Sequence, residues 1–226
     1  MSSPLVLFDI DGTLLSSPST VHLDAFNFAL KKVFDIDIDV RYVPTLGYID
    51  RQILEMAGVK MGISKEKVAE NLQKLEDEMV DYFVKNINEK DIFSRSGAKE
   101  LLEALTQKGV LTGLMTGNCE RIARGKMKFI GFNDFFKFGG FGDTLPDRNA
   151  VGLDAVVNGK KLGEVSNVFV VGDTPRDVVA GKGINAKTIG IVTENYSAED
   201  LKIAGADFTF EDFTDVKKFL EIIGVE

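Results

Sequence analysis

The chain has 226 residues, with 27 basic against 35 acidic side chains, a formal charge of −8, one histidine and one cysteine. That length accommodates a large core domain plus a smaller unit rather than two independent enzymes, and the acidic balance disfavours broad contact with a nucleic-acid backbone. A lone cysteine cannot build a disulfide framework and points to a reducing compartment, no run approaches the roughly 20 apolar residues that span a bilayer, and the opening stretch lacks the basic leader of a signal peptide. The expectation is a soluble, cytoplasmic protein with no membrane or nucleic-acid polymer as partner, monomer and homodimer both being open.

The first run, Leu5 to Leu14, is apolar until it reaches Asp9 and Asp11. It reads as a buried parallel strand whose carboxyl end, where open α/β sheets bind ligands, delivers two acids. Two carboxylates there repel unless a cation or a proton is shared between them; a hard divalent ion such as magnesium suits oxygen ligands plus a substrate phosphate. The plainer reading has the pair capping the turn at Gly12. From about Pro18 to about Asp91 the rhythm is helical, with Phe26, Leu30 and Val33, then Val68, Leu72, Leu75, Met79 and Phe83 at i, i+3, i+4 spacing.

A second strand, Val110–Met115, ends in Thr116, Gly117 and Asn118 ahead of a helical stretch. The hydroxyl and the free N–H groups of such a loop suit an anion. A third, Val168–Val171, leads into Gly172-Asp173-Thr174-Pro175-Arg176-Asp177 and repeats the strand-then-acid pattern, with Pro175 suited to a first helical turn. Lys187–Thr193 reads as a further buried strand, Leu201–Asp207 ends a helix at Gly205, Phe208–Phe210 reads as an edge strand, and a final helix from Val216 to Ile223 covers the sheet with Phe219, Leu220 and Ile223. Strand–helix alternation predicts an α/β fold, a doubly wound parallel sheet with an inserted helical unit.

Carboxylates for a metal, with a hydroxyl and N–H groups for an anion on three strand ends, specify a phosphate monoester site. At these residues the chain resembles the haloacid dehalogenase superfamily, in its phosphatase branch: Asp9-Ile10-Asp11-Gly12-Thr13 matches the first signature, Thr116 the second, and Gly172 to Asp177 the fourth. The resemblance implies a Rossmann-like core over residues 1–16 and 91–226 and a helical cap of the first type, phosphoglycolate phosphatase-like, over 17–90. It implies Asp9 as the nucleophile that becomes an aspartyl phosphate and Asp11 as general acid and base. It further implies Mg2+ held by Asp9, the backbone carbonyl of Asp11 and Asp173, with Asp177 in support, and phosphate bound by Thr116, Gly117 and Asn118. An acid at Asp11 argues for phosphoryl transfer over carbon–halogen cleavage.

The third signature departs from the usual lysine. Arg148, before a helical run through Ala150, Val156 and Val157, offers a bidentate fork in its place, with Lys126, Lys128, Lys137 and Lys160 as rivals and a solvated charge beside Asp147 as the bland alternative. Within the cap, Gly47 and Arg51 lie in a stretch that resembles the specificity loop of such lids, with Tyr48 as another substrate contact; an ordinary helix start with Asp50 near its cap position fits the same residues. His22 reads as structural or lining the entrance rather than as a catalyst. Cys119, at a helix start, is expected to have a lowered thiol pKa. The leading function is a magnesium-dependent phosphatase of a small phosphorylated metabolite, phosphoglycolate or a sugar phosphate. A phosphomutase using the same intermediate and a non-catalytic binding or regulatory protein are the alternatives.

Overall fold

The computed structural model describes residues 2–16, 19–88, 91–143 and 145–225. Pro18 and Lys90, at which the expected limits of the insertion fall, lie outside the described residues. The strands are β1 (Ser3–Phe8), β2 (Leu15–Ser16), β3 (Phe93–Ser94), β4 (Leu111–Met115), β5 (Gly139–Gly140), β6 (Val165–Gly172), β7 (Lys187–Ile191) and β8 (Phe208–Phe210). The helices are α1 (Val21–Phe34), α2 (Asp50–Lys60), α3 (Lys65–Glu70), α4 (Leu72–Asn86), α5 (Ala98–Gln107), α6 (Glu120–Phe129), α7 (Arg148–Lys160), α8 (Pro175–Gly183), α9 (Ala198–Ile203) and α10 (Val216–Ile223).

Six strands form one sheet in the order β5-β4-β1-β6-β7-β8, every neighbouring pair parallel. The apolar β1 sits in the middle because both its faces are covered. Side chains alternate across a strand, so Val6 and Phe8 face one layer while Leu5 and Leu7 face the other, with Met115, Phe138, Val151 and Val170. On the first face Phe8 meets the rings of Phe136, Phe213 and Phe219, and Phe219 and Ile223 of α10 are buried there as their spacing predicts. Register aligns Phe8 with Leu114 of β4 and Val171 of β6, so Asp9, Thr116 and Asp173 leave the sheet at nearly one level.

Residues 21–86 form the helical insertion. Its α1 and α4 pack together, burying Phe26, Leu30, Leu75, Met79 and Phe83 in an apolar cluster continuous with Val6 and Phe8. The short strands β2 and β3 pair antiparallel beside the two ends of this segment, so the chain leaves the core and returns to it at adjacent points. The insertion is also pinned to the sheet by its own loop. Ile49 is fully buried among Leu5, Leu7 and Met115, the Asp50 N–H donates to the Gly117 carbonyl at 2.8 Å, and Gln52 Nε2 donates to the Pro146 carbonyl at 3.1 Å. The Arg176 guanidinium lies 3.7 Å over the Tyr48 ring.

Two sequence expectations change here. Asp50 does not cap its own helix: Ile49 precedes α2, and the Asp50 carboxylate accepts the Cys119 N–H at the start of α6 at 2.8 Å, where helix N–H groups lack internal partners. The Cys119 thiol pKa rises well above its ordinary value, driven by burial and then by the Asp50 charge, because desolvation outweighs the helix terminus.

Beside this junction Arg121 of α6 pairs with Asp77 at 2.7 Å and reaches Glu76 at 3.9 Å. Burial first, then the Asp143 charge, pushes Glu76 to a pKa of about 7 against the pull of Arg121. Burial likewise lifts Asp143 to about 6, although it accepts the Glu120 N–H.

Removing the Phe219 ring leaves a cavity under Phe8 and Phe210, and Phe219→Ala is expected to cost about 3–5 kcal/mol, read as a lower urea midpoint with an unchanged m-value. Glu76 is harder to ionise folded than unfolded, so its contribution is complete below the ordinary glutamate range and is lost as pH rises toward about 7. Glu76→Gln removes that loss. The variant should melt above the parent in alkaline buffer and level with it in acid, and a gap independent of pH would exclude this origin.

Candidate active site

A cavity of about 560 Å³ opens where the carboxyl ends of β1, β4 and β6 meet the insertion. Core residues Asp9, Asp11, Gly117, Asn118, Arg148 and Asp173 line it, together with His22, Phe26, Gly47, Tyr48, Asp50, Ile53 and Phe83 from the insertion.

Asp9 follows the last residue of β1 and is buried, its N–H given to the Val171 carbonyl at 2.9 Å. Arg148, the first residue of α7, places Nη2 at 2.7 Å from Asp9 Oδ1, and the same Nη2 donates to Asp177 Oδ1. The Arg148 Nε is buried without a hydrogen-bond partner. Burial drives the Asp9 pKa up to about 7, the Arg148 charge pulling it down and Asp177 and Asp11 pushing it up. Burial, then the charges of Asp9 and Asp177, puts Asp173 well above the carboxylate range. For Arg148 burial opposes the charge, but Asp177 and Asp9 outweigh it and lift its pKa further.

The β6 loop is held by its own side chains. Thr174 and Asp177 form a reciprocal cap on α8, Thr174 Oγ1 donating to Asp177 Oδ2 at 2.8 Å and Asp177 N–H to Thr174 Oγ1 at 3.3 Å. Thr13 Oγ1 donates to Asp173 Oδ1 at 3.2 Å. Gly12 has a φ of +83°, and a Cβ there would strike the Asp173 carboxylate, so the first signature needs glycine on both counts.

Asp9, Asp173 and Asp177 each present a carboxylate oxygen within 4.8 Å of the others, all buried. Three buried acids beside one guanidinium cannot all ionise without a further positive charge. An all-oxygen donor set suits a hard divalent cation, so these residues fit such an ion. The Asp11 carboxylate is not part of this group and is held separately: Lys126 Nζ lies 2.7 Å from both its oxygens and Asn118 Nδ2 donates to Oδ2 at 2.7 Å. Burial raises the Asp11 pKa, but the Lys126 charge and the hydrogen bonds from Lys126 and Asn118 bring it below the ordinary value.

Of the other residues read from sequence, Thr116 is fully buried and its Oγ1 accepts from Asn118 Nδ2 at 2.7 Å. The Asn118 N–H, expected to face an anion, donates instead to Thr116 Oγ1 at 3.3 Å. Gly117 faces the cavity, and a Cβ on it would strike the Tyr48 carbonyl and meet Arg148 Nη1 at 2.9 Å. Gly47 and Tyr48 line the cavity. Arg51 does not: it lies one residue past the start of α2 and pairs with Glu55 at 2.9 Å, one turn along its own helix. Among the rival lysines, Lys128, Lys137 and Lys160 are exposed, whereas Lys126 reaches the cavity floor. Its signal was legible, since Lys126 follows Ile122 and Ala123 along the buried stripe of α6, a place where lysine is rare unless paired.

Comparison with known proteins accords with this arrangement. Residues 6–191 match the family model for haloacid dehalogenase-like hydrolases. The chain belongs to that family. The hydrolase is 27% identical over 234 residues to a phosphoglycolate phosphatase of Psychrobacter arcticus, covering 97% of this chain and 96% of the relative. It is 26% identical over 204 residues to a provisionally named pyrophosphatase of Clostridium perfringens, covering 90% of each. Its fold superposes with a TM-score of 0.73 on a predicted phosphatase from Clostridium acetobutylicum, at 21% identity over 98% of this chain and 100% of the other. These relatives set the hydrolase among the phosphatases of its family, as a phosphoric monoester hydrolase.

Because a cation would relieve the buried acids, adding magnesium should raise the melting temperature of the hydrolase over that in chelator, as expected for a ligand of the folded state. Asp173→Asn should lose most of that increment, and an increment equal to the parent's would remove Asp173 from the metal site.

Proposed function

We propose that this hydrolase is a magnesium-dependent, cytoplasmic phosphatase that cleaves a small phosphomonoester, phosphoglycolate or a sugar phosphate, through a phosphoryl group carried on Asp9. The observation that supports it most is the buried Asp9 carboxylate held by Arg148, whose Nε is buried with no hydrogen-bond partner. A guanidinium with a spare N–H beside a nucleophile suits the oxygens of a phosphate. The name of the Psychrobacter arcticus relative favours phosphoglycolate.

In this reading an Asp9 oxygen attacks phosphorus as the bond from phosphorus to the alcohol oxygen breaks, and the Asp11 carboxyl, which must first take up a proton against the pull of Lys126, gives that proton to the leaving oxygen. Asp11, now ionised, takes a proton from water whose oxygen attacks the phosphoryl group, freeing Asp9 and releasing inorganic phosphate. Arg148 balances the charge gathered at phosphorus, and Thr116 and Gly117 sit beside it. Asp9, Asp173 and the Asp11 carbonyl would hold Mg2+, with Asp177 bracing the loop, and the ion supplies neutralisation of the phosphate charge. Residues 17–90 act as the cap over a core of 1–16 and 91–226, and by covering the cavity they exclude bulk water and strengthen the charge interactions beneath.

Phosphate release from a panel of phosphoglycolate, sugar phosphates and nucleotides, with magnesium and with chelator, tests the reading. Metal-dependent release from one or a few members is expected. Asp9→Asn should bring it to background with the fold intact, whereas parental rates in that variant would remove Asp9 as nucleophile. Arg148→Ala should cut kcat/KM by about a hundredfold.

A further inference from the structure

Lys126 is nearly fully buried, 2% exposed, yet it comes from the core helix α6 rather than from any signature. An ammonium has three N–H donors and no acceptor. Here it meets three groups: the Asp11 carboxylate at 2.7 Å, Asn118 Oδ1 at 2.7 Å and His22 Nδ1 at 3.1 Å. The ammonium cannot accept, so His22 Nδ1 must. The ring is therefore the neutral tautomer carrying its proton on Nε2, which lies 3.4 Å from Asp50 Oδ2 but makes no hydrogen bond to it. Stacking on Phe26, with ring centroids 5.0 Å apart, fixes the ring's tilt. Asn118 closes the arrangement, its Nδ2 donating to Asp11 Oδ2 at 2.7 Å. Every contact on the Asp11 oxygens is thus a donor, the environment of a carboxylate that accepts, and His22 rides on the insertion while Lys126 and Asn118 belong to the core.

We infer that Lys126, seated by Asn118 and by the Nε2–H tautomer of His22, is the positioning residue that holds Asp11 as the base for the water step. The inference rests on the phosphatase reading and deepens it. Lys126 matters for the second half of the cycle, in which water attacks the phosphoryl group on Asp9, and the docked insertion completes the seat through His22.

p-Nitrophenyl phosphate separates the halves, because its leaving group departs without a proton and the first half then needs no acid. In Lys126→Met, rapid mixing should give a burst of nitrophenolate near one equivalent of enzyme, with steady-state kcat down tenfold or more and a phosphoryl group retained on the protein by intact mass. Lys126→Arg should recover part of kcat. A loss of kcat with no burst and no retained phosphoryl group overturns the inference and leaves the phosphatase reading standing; a parent inactive on this ester and on the metabolite panel overturns both. One measurement needs no variant. The chain has a single histidine, so nitrogen-15 shifts of the parent report its tautomer directly. A protonated Nε2 with bare Nδ1 is expected, and a proton on Nδ1 overturns the seat.

Discussion

Two buried carboxylates, Asp9 and Asp177, share the Arg148 guanidinium, and a third, Asp173, lies within 4.8 Å of both; the carboxyl edge of the sheet has to hold all three together. Burying an unpaired charge costs several kcal/mol per ion even after relaxation, so each acid has to be placed where Arg148 or a hydroxyl can reach it. β1 carries Asp9 to the edge, β6 carries Asp173 and Asp177, and α7 starts at Arg148 so that its guanidinium reaches two of the three. The remaining excess of negative charge is chemically useful. A cluster of this kind favours a cation over an anion.

The second set of constraints runs from the insertion into the core. Asp50 serves the start of α6, and α6 in turn presents Lys126 to Asp11. One helix therefore receives its N-terminal partner from the insertion and delivers its ammonium to the site. Tyr48, Ile49, Asp50 and Gln52, four consecutive stations apart from Arg51, each hold a different part of the core: the first turn of α8, a hydrophobic layer, the start of α6 and a carbonyl. Arg51 faces the other way because helical geometry turns every residue by about 100° and Glu55 waits one turn further on.

Much of this was legible from residue order alone. The alternation of apolar strands with helical stretches predicts the parallel sheet, and the acids after β1 and β6 stand at its carboxyl edge as strand chemistry requires. Arg148 was readable as a candidate because it opens a helix after a glycine-rich turn, and the structure places its guanidinium against Asp9. What sequence spacing could not supply was direction. Asp50 looked like a local cap, since a carboxylate before a helix usually serves that helix, and only the approach of α6 makes a distant amide the better partner. Cys119 sits where a helix terminus favours the thiolate, but the same packing removes the water that a thiolate needs, and desolvation wins. His22 and Lys126 are separated by 104 residues, and a contact across that distance depends on how two helices cross.

The burial of Ile49 in the layer beneath the sheet bears on traffic through the site. Withdrawing that side chain to water costs about 1.5–3 kcal/mol by transfer alone, before the Asp50 and Gln52 hydrogen bonds are counted. Any conformer with the loop lifted is then a minority of a few per cent or less, by the rule that each 1.4 kcal/mol is tenfold. A ligand that needs the loop lifted meets a receptive protein only in that fraction, and its apparent affinity is diluted in proportion. The isoleucine thus sets, from within the core, how often the loop beside the cavity can lift.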